Sequence, residues 1–260
     1  MSLPNIRFPD NYQPKANCLA GRVILVTGAG QGLGRVAALA FARHGATIVL
    51  HGRNIPKLEA VYDAIESEKL RQPAIMPLDF AKAGQMELDG FAQSIQSTFG
   101  QLDGVFHAAS HFVSPMPMAL HDLDTWMQHA KVNLAVPAAL TRACTPLLTR
   151  ANDGSVVFLT ETHALQPKAY WGPFAVLKSA LTALTAILAD ETTTVSSPRF
   201  NLCLPGPVAS PMRAQSHPGE LVSSMPPPAS LSAKFLYLIG PDSVGVNGCL
   251  LDCSTGNEAS

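Results

Sequence analysis

Residues 23–34 read Val-Ile-Leu-Val-Thr-Gly-Ala-Gly-Gln-Gly-Leu-Gly, and this stretch decides the fold. Four apolar residues read as a buried strand, four glycines follow within seven positions, and an apolar helical pattern continues over 33–43. Glycine admits positive φ and lets the backbone come close to a pyrophosphate. The helix that follows offers free N–H groups and the positive end of its dipole. The spacing is Thr27-Gly28-x₃-Gly32-x-Gly34 rather than G-x-G-x-x-G. The reading therefore rests on context: a strand before, a helix after, and a place in the first βα unit. Thr27, Gly28, Gly30, Gln31, Gly32, Leu33 and Gly34 are the candidate cofactor contacts of this turn.

The same alternation runs outward along the chain. Apolar runs predict strands at 47–50, 74–78, 105–108, 155–159, 200–204 and 249–252, in addition to 23–26. Helical patterns over 56–69, 85–99, 122–150 and 173–191 fall between them. Strands alternating with helices at this spacing give parallel strands and right-handed crossovers. The expected fold is α/β: one doubly wound parallel sheet of about seven strands, with helices on both faces and ligands at the carboxyl ends of the strands. No repeat or shift in composition divides residues 1–260, so one domain is expected, with 1–20 as an N-terminal extension. Residues 211–232, rich in Pro and Ser, read either as a surface loop or as a lid over the crevice.

Composition removes other classes. The 260 residues are 47% hydrophobic and 14% charged, too apolar for a disordered chain. Eighteen Lys and Arg against nineteen Asp and Glu give a net charge of −1, so no bulk charge draws the chain to nucleic acid or an anionic membrane. Cys18, Cys144, Cys203, Cys249 and Cys253 show no zinc-like spacing and are expected as thiols in a reducing cytoplasm; no metal site is expected. The polar N-terminus carries no export pattern. The helix at 173–191 is apolar nearly all round, which suits burial against the sheet and a partner subunit better than a membrane span.

The residues after the second strand select the cofactor. An NAD site would place Asp or Glu there to hold the ribose hydroxyls. Here the strand ends Leu50-His51-Gly52-Arg53-Asn54. A guanidinium binds a 2′-phosphate that a carboxylate would repel. NADP(H) is thus preferred over NAD(H), although Arg53 also reads as a solvated charge at a helix start. Asp79, beside Phe80, reads either as an acceptor for the adenine amino group or as a helix N-cap.

Thr27-Gly28-x₃-Gly32-x-Gly34, Asp79, Asn133, Lys178 and Pro205-Gly206 stand in the order and spacing of the classical short-chain dehydrogenases/reductases, which the chain resembles over about residues 12–255. Within that family it is similar to small bacterial oxidoreductases that also begin Tyr-Gln-Pro, here Tyr12-Gln13-Pro14. The resemblance implies a Rossmann-like fold and a nicotinamide cofactor held also by Ala108, Ala109, Pro205, Gly206 and Val208. It further implies homodimers or homotetramers, and hydride transfer to or from a small carbonyl or alcohol. The family's active-site Asn is matched by Asn133 and its Lys by Lys178, but its Tyr falls on Phe174 and its Ser on Glu161. The segment after the fourth strand is also altered, to His107-Ala108-Ala109-Ser110, and the usual Asn before Pro-Gly is Leu204.

These departures have a chemical consequence. Carbonyl reduction puts a hydride on carbon and a proton on oxygen, and a phenylalanine ring gives no proton. Loss of a general acid costs about 10²–10⁴ in rate, roughly 3–5 kcal/mol of barrier. Lys178 is the only charge in its helix before Asp190, so it is expected to point into a polar site and reach the cofactor ribose. Glu161 has three readings: a salt bridge to Lys178, a replacement general acid, or a side chain turned away that leaves Thr160 or Thr162 nearest the site. Tyr170 is a second candidate proton donor or an aromatic at the pocket edge, and His107 and His163 are candidate shuttles. Two functions follow: an oxidoreductase with altered acid/base residues, or a non-catalytic relative that binds dinucleotide or a protein partner without turnover.

Overall fold

A computed structural model describes residues 3–192 and 198–254. Its strands are β1 (Asn5–Ile6), β2 (Val23–Thr27), β3 (Thr47–Gly52), β4 (Ala74–Pro77), β5 (Gly104–His107), β6 (Ser155–Leu159), β7 (Arg199–Leu204) and β8 (Cys249–Asp252). All pair in parallel in one sheet, in the order β1-β8-β7-β6-β5-β2-β3-β4. The strand order reverses between β2 and β5, and the crevice outside their carboxyl ends is the ligand position of such sheets.

The sheet has eight strands, one more than the sequence pattern gives. The extra one is β1, a two-residue strand in the N-terminal extension that pairs with β8, Asn5 opposite Leu250. Two residues are too short for a period to show.

Alternation along each central strand feeds both faces. Ile24 and Val26 pack with α1 (Gly32–Arg43), α2 (Ile55–Ser67) and the later α9, while Val23 and Leu25 pack on the opposite layer. That layer holds α3 (Gln85–Phe99) and the helices over Val136–Leu148 and Gly172–Glu191. Both faces of the sheet are covered, which is why its strands read as continuous apolar runs.

The helix expected over 122–150 is broken. α4 (Leu123–Ala130) passes into a π-helical turn, Lys131–Ala135, before α5 (Val136–Leu148) begins with Pro137 in its first turn. A π turn inserts one residue into the helical ladder and turns a side chain out of register, a device common at functional sites. Here that side chain is Asn133.

Beyond β6 lie the single turn α6 (Thr162–Leu165) and the 20-residue α7 (Gly172–Glu191). α7 is long and apolar enough, by length and composition, to cross a membrane, and half of it is buried inside the protein. Phe174, Lys178, Leu181 and Thr185 face inward, while Val176 and Ile187 stay about half exposed. Residues 211–232 are not a plain loop: α8 (Pro211–Ser216) is capped by Ser210, and two short 3₁₀ turns follow before α9 (Ser232–Ile239).

Candidate active site

One cleft of about 480 Å³ runs across the carboxyl ends of the strands. At one end it is lined by the glycine turn, Arg53, Asn54, Lys57, Asp79 and Phe80; at the other by Phe112, Glu161, Phe174 and Lys178, with Ser210, Pro211, Met212 and Gln215 alongside. Of the 211–232 segment, Pro211, Met212 and Gln215 of α8 border the crevice.

The glycine turn is built by backbone contact. Gly28 sits at φ +67°, and a Cβ there would lie 2.8 Å from Ala109 Cα. Gly34 is tighter: its Cβ would stand 2.3 Å from the carbonyl oxygen of Gly28. That approach packs the first turn of α1 against the end of β2. The cap residue Gln31 offers no side-chain acceptor to α1, and no acidic residue occupies its first turn, so the terminal N–H groups remain for an anion. Thr27 is buried, and its Oγ1 accepts from Ala108 N and Ala109 N, both at 3.1 Å, tying β2 to the segment after β5.

Arg53 lies exposed on the rim, next to the first turn of α2. Lys57 of that turn donates to Gln31 Oε1, so two cations flank one corner of the cleft. Asp79 lines the cleft and also caps the turn after β4, accepting from Ala81 N at 3.1 Å. It is not a helix N-cap, because the next helix starts only at Gln85 and is capped by Gly84. Beneath it, His51 stacks on Phe80 at 4.1 Å and its Nε2 is 3.1 Å from Leu78 O; burial pushes its pKa down to about 4.

At the other end, the Lys178 Nζ donates to Leu159 O at 2.9 Å and sits 5.8 Å from the Phe174 ring centroid. Burial lowers its pKa to about 8, and the charge of Glu161 pushes the other way. Asn133 spends both ends of its carboxamide on the backbone of His111: Oδ1 accepts from His111 N and Nδ2 donates to His111 O, each at 2.9 Å. It does not line the cleft; it holds the wall that does.

Glu161 lines the cleft at 9% exposure, and its Oε2 is 3.1 Å from His163 Nδ1. The direct salt bridge to Lys178 is absent among the described ion pairs; the carboxylate partner is His163 instead. Thr160 is buried and donates its hydroxyl to Lys178 O, which leaves it a structural task. Tyr170 does not reach inward. Its backbone sits at φ +75° and its side chain is 59% exposed, away from the cleft lining. His107 is also no shuttle at the cleft: it stacks on Phe158, binds Thr141, and burial pushes its pKa down to about 3.

Of the expected cofactor contacts, Gly28, Gly30, Gln31, Gly32, Leu33, Gly34, Arg53, Asp79, Phe80, Ala108, Ala109 and Lys178 line the cleft. Thr27, Pro205, Gly206 and Val208 do not; Val208 is packed in the core beneath. Sequence reasoning missed Lys57, and it missed an aromatic group at the catalytic end. Phe112 meets Phe174 edge-on at 4.9 Å, and Trp171 stacks on His163 at 3.8 Å. Among the described residues no cluster of His, Cys, Asp and Glu is placed to hold a metal ion.

Comparison with known proteins agrees with this geometry. Residues 22–221 match the family model of short chain dehydrogenases. The chain is 36% identical over 248 residues to the oxidoreductase YciK of Escherichia coli K12, covering 95% of this chain and 98% of that one. A short chain dehydrogenase structure from Pseudomonas syringae superposes with a TM-score of 0.90 at 39% identity, over 94% of this chain and 98% of the other. Another, from Escherichia coli CFT073 and complexed with NADPH, gives 0.89 at 37% identity over 92% and 99%. The chain belongs to the short chain dehydrogenase family.

Proposed function

From its place in that family and the chemistry of the cleft, we propose that the protein is an NADP(H)-dependent oxidoreductase that moves a hydride between the nicotinamide and a small carbonyl or alcohol. One observation carries the reading: a single cleft joins the glycine turn and the Arg53–Lys57 corner to Lys178 and Glu161. The two cations favour a 2′-phosphate, and with it NADP(H) over NAD(H). The NADPH-bound relative supports the same choice. The site residues fit the dinucleotide: free amides at the start of α1 for its phosphates, and the buried Lys178 ammonium for its ribose hydroxyls.

When bound, the cofactor supplies the hydride. The chain supplies position and protons. Lys178 donates hydrogen bonds while Leu159 O and the face of Phe174 fix it in place. Asn133 positions the cleft wall through His111. Glu161, exchanging its proton through His163, replaces the missing phenol as the acid for a carbonyl oxygen. The exposed apolar residues of α4 and α7, Leu123, Met127, Val176 and Ile187, suit a homodimer or homotetramer. Five unpaired thiols suit a reducing cytoplasm.

Titration of the purified protein with NADPH and with NADH tests the reading, followed by a panel of small ketones and aldehydes. Saturable binding with NADPH preferred, and NADPH oxidation that Glu161→Gln abolishes, is the expected result. NADPH binding without turnover on any substrate would leave a dinucleotide-binding protein, the reading that Phe174 favours. Absence of binding would overturn both.

A further inference from the structure

Carbonyl chemistry leaves part of the catalytic end unexplained. Glu161 stands at the N-cap position of α6, yet its side chain makes no cap hydrogen bond. One carboxylate oxygen meets His163; the other, Oε1, is buried and has no hydrogen-bond partner among the described residues. An unpartnered buried carboxylate oxygen is costly, and it is relieved by a donor or a cation from outside the chain. Aromatic rings gather at the same end. Phe112 and Phe174 line the cleft with Glu161, and Trp171 stands behind them, 5.8 Å from Phe112 and 6.3 Å from Phe174 between centroids. Aromatic faces attract cations, and most strongly where water is excluded. An anion bordered by aromatic rings is a site for a positively charged group.

We propose that the cleft also reduces carbon–nitrogen double bonds presented as iminium cations, with Glu161 as the counter-ion and the Phe112–Phe174 pair as the apolar wall. This rests on the reading of the cleft as a site of hydride transfer from NADPH. The step balances without a general acid. Two electrons and a proton leave the dihydronicotinamide as hydride and form a C–H bond at the iminium carbon. The C=N π pair becomes the lone pair of the amine nitrogen, NADPH becomes NADP⁺, and the amine takes a proton from water afterwards. Because no proton is needed during the hydride step, a phenylalanine at position 174 costs this reaction nothing. Lys178 lines the same cleft with its ammonium held on Leu159 O, so an iminium is expected to seat on the Glu161 side.

N-methyl-3,4-dihydroisoquinolinium, an iminium that is charged at every pH, is the probe, and a neutral bicyclic ketone of the same size is its control. NADPH oxidation is followed with each, and the enzyme-free rate is subtracted. Reduction of the iminium with kcat/KM at least about 10-fold above the ketone is expected. Removing one partner of a buried charge pair costs about 2 kcal/mol or more, so Glu161→Gln is expected to lose at least about 30-fold on the iminium, with Glu161→Asp recovering part of it. Phe174→Tyr is expected to raise ketone turnover relative to iminium turnover. Intact NADPH binding with no iminium turnover above buffer overturns the proposal, as does full iminium activity in a Glu161→Gln protein that still binds NADPH. Failure to bind NADPH is a separate result, which removes the hydride-transfer reading itself.

Discussion

The two ends of the cleft are held by different kinds of contact. At the β2–β3 end the shape is made of main chain: Gly28 against Ala109, Gly34 against the carbonyl of Gly28, free amides at the start of α1. At the β6–α7 end it is made of side chains: Glu161 on His163, Lys178 on Leu159 O, Phe174 on Phe112. Backbone contacts tolerate no added atoms, so the motif there reads intact. Side chains can be exchanged without refolding the scaffold, and here the resemblance sets Phe174 and Glu161 where it implies a Tyr and a Ser. The phenol and hydroxyl positions became a buried ring and a buried carboxylate, and each found a local partner.

Steric substitution gives the largest contrast. In Gly34→Val the new Cβ would lie 2.3 Å from a backbone oxygen, and no side chain can yield to make room. Overpacking costs about 1–3 kcal/mol of stability, so thermal melting should fall, and NADPH affinity should fall as the turn shifts from its phosphate-binding shape. Phe174→Tyr, at the other end, should leave NADPH affinity and melting nearly unchanged. Normal NADPH binding by Gly34→Val, measured by fluorescence titration, would break the distinction.

The same difference explains what was legible in the sequence. The glycine turn, the strands and the sheet architecture follow from local patterns that backbone geometry enforces. Lys57 escaped notice because it reaches the cleft only when the first turn of α2 folds back over Gly30, whose Cβ would lie 2.9 Å from Lys57 Cβ. Asn133 was found, but not its job: the π turn that aims it at His111 has no compositional signal within an apolar helix, and only Pro137 hints that a new helix begins. The aromatic group comes from residues 112 and 171–174, sixty positions apart in the chain and joined only by the packing of the β5 loop on α7. Tyr170, open in the sequence between a proton donor and an aromatic at the pocket edge, is sent to solvent by the turn before α7.

A charge substitution sharpens the cofactor end. Arg53→Asp removes a cation from the corner shared with Lys57 and installs the acid of an NAD site. Hydrogen bonds to charged groups contribute about 1.5–3 kcal/mol, so the NADPH/NADH affinity ratio should drop about 10–100-fold. Lys57→Ala should lower it less, since that ammonium is already shared with Gln31. A ratio unmoved by Arg53→Asp would place the 2′-phosphate elsewhere on the rim.

Titration also separates the two ends. His51 under the cofactor end has its pKa pushed by burial to about 4, from an ordinary 6.5. Lys178 at the other end is pushed by burial to about 8, from 10.5. In both cases the unfolded chain binds a proton that the folded chain refuses, so stability rises with pH across the gap, by about 1.4 kcal/mol per pH unit for each group. For His51 the gain is lost as pH falls from 6.5 toward 4, and His107, held near 3, extends the loss to lower pH. For Lys178 the cost of the buried charge persists below pH 8 and is relieved between 8 and 10.5. Urea unfolding across pH 4–10 should therefore show His51→Gln with a shallower acid limb and a wild-type alkaline limb. Lys178→Met should show the reverse, with the rise above pH 8 gone and the acid limb kept. If Lys178→Met retains the alkaline rise, the ammonium is not carrying a burial cost. The catalytic end would then hold its charge as comfortably as the cofactor end holds its neutral histidine.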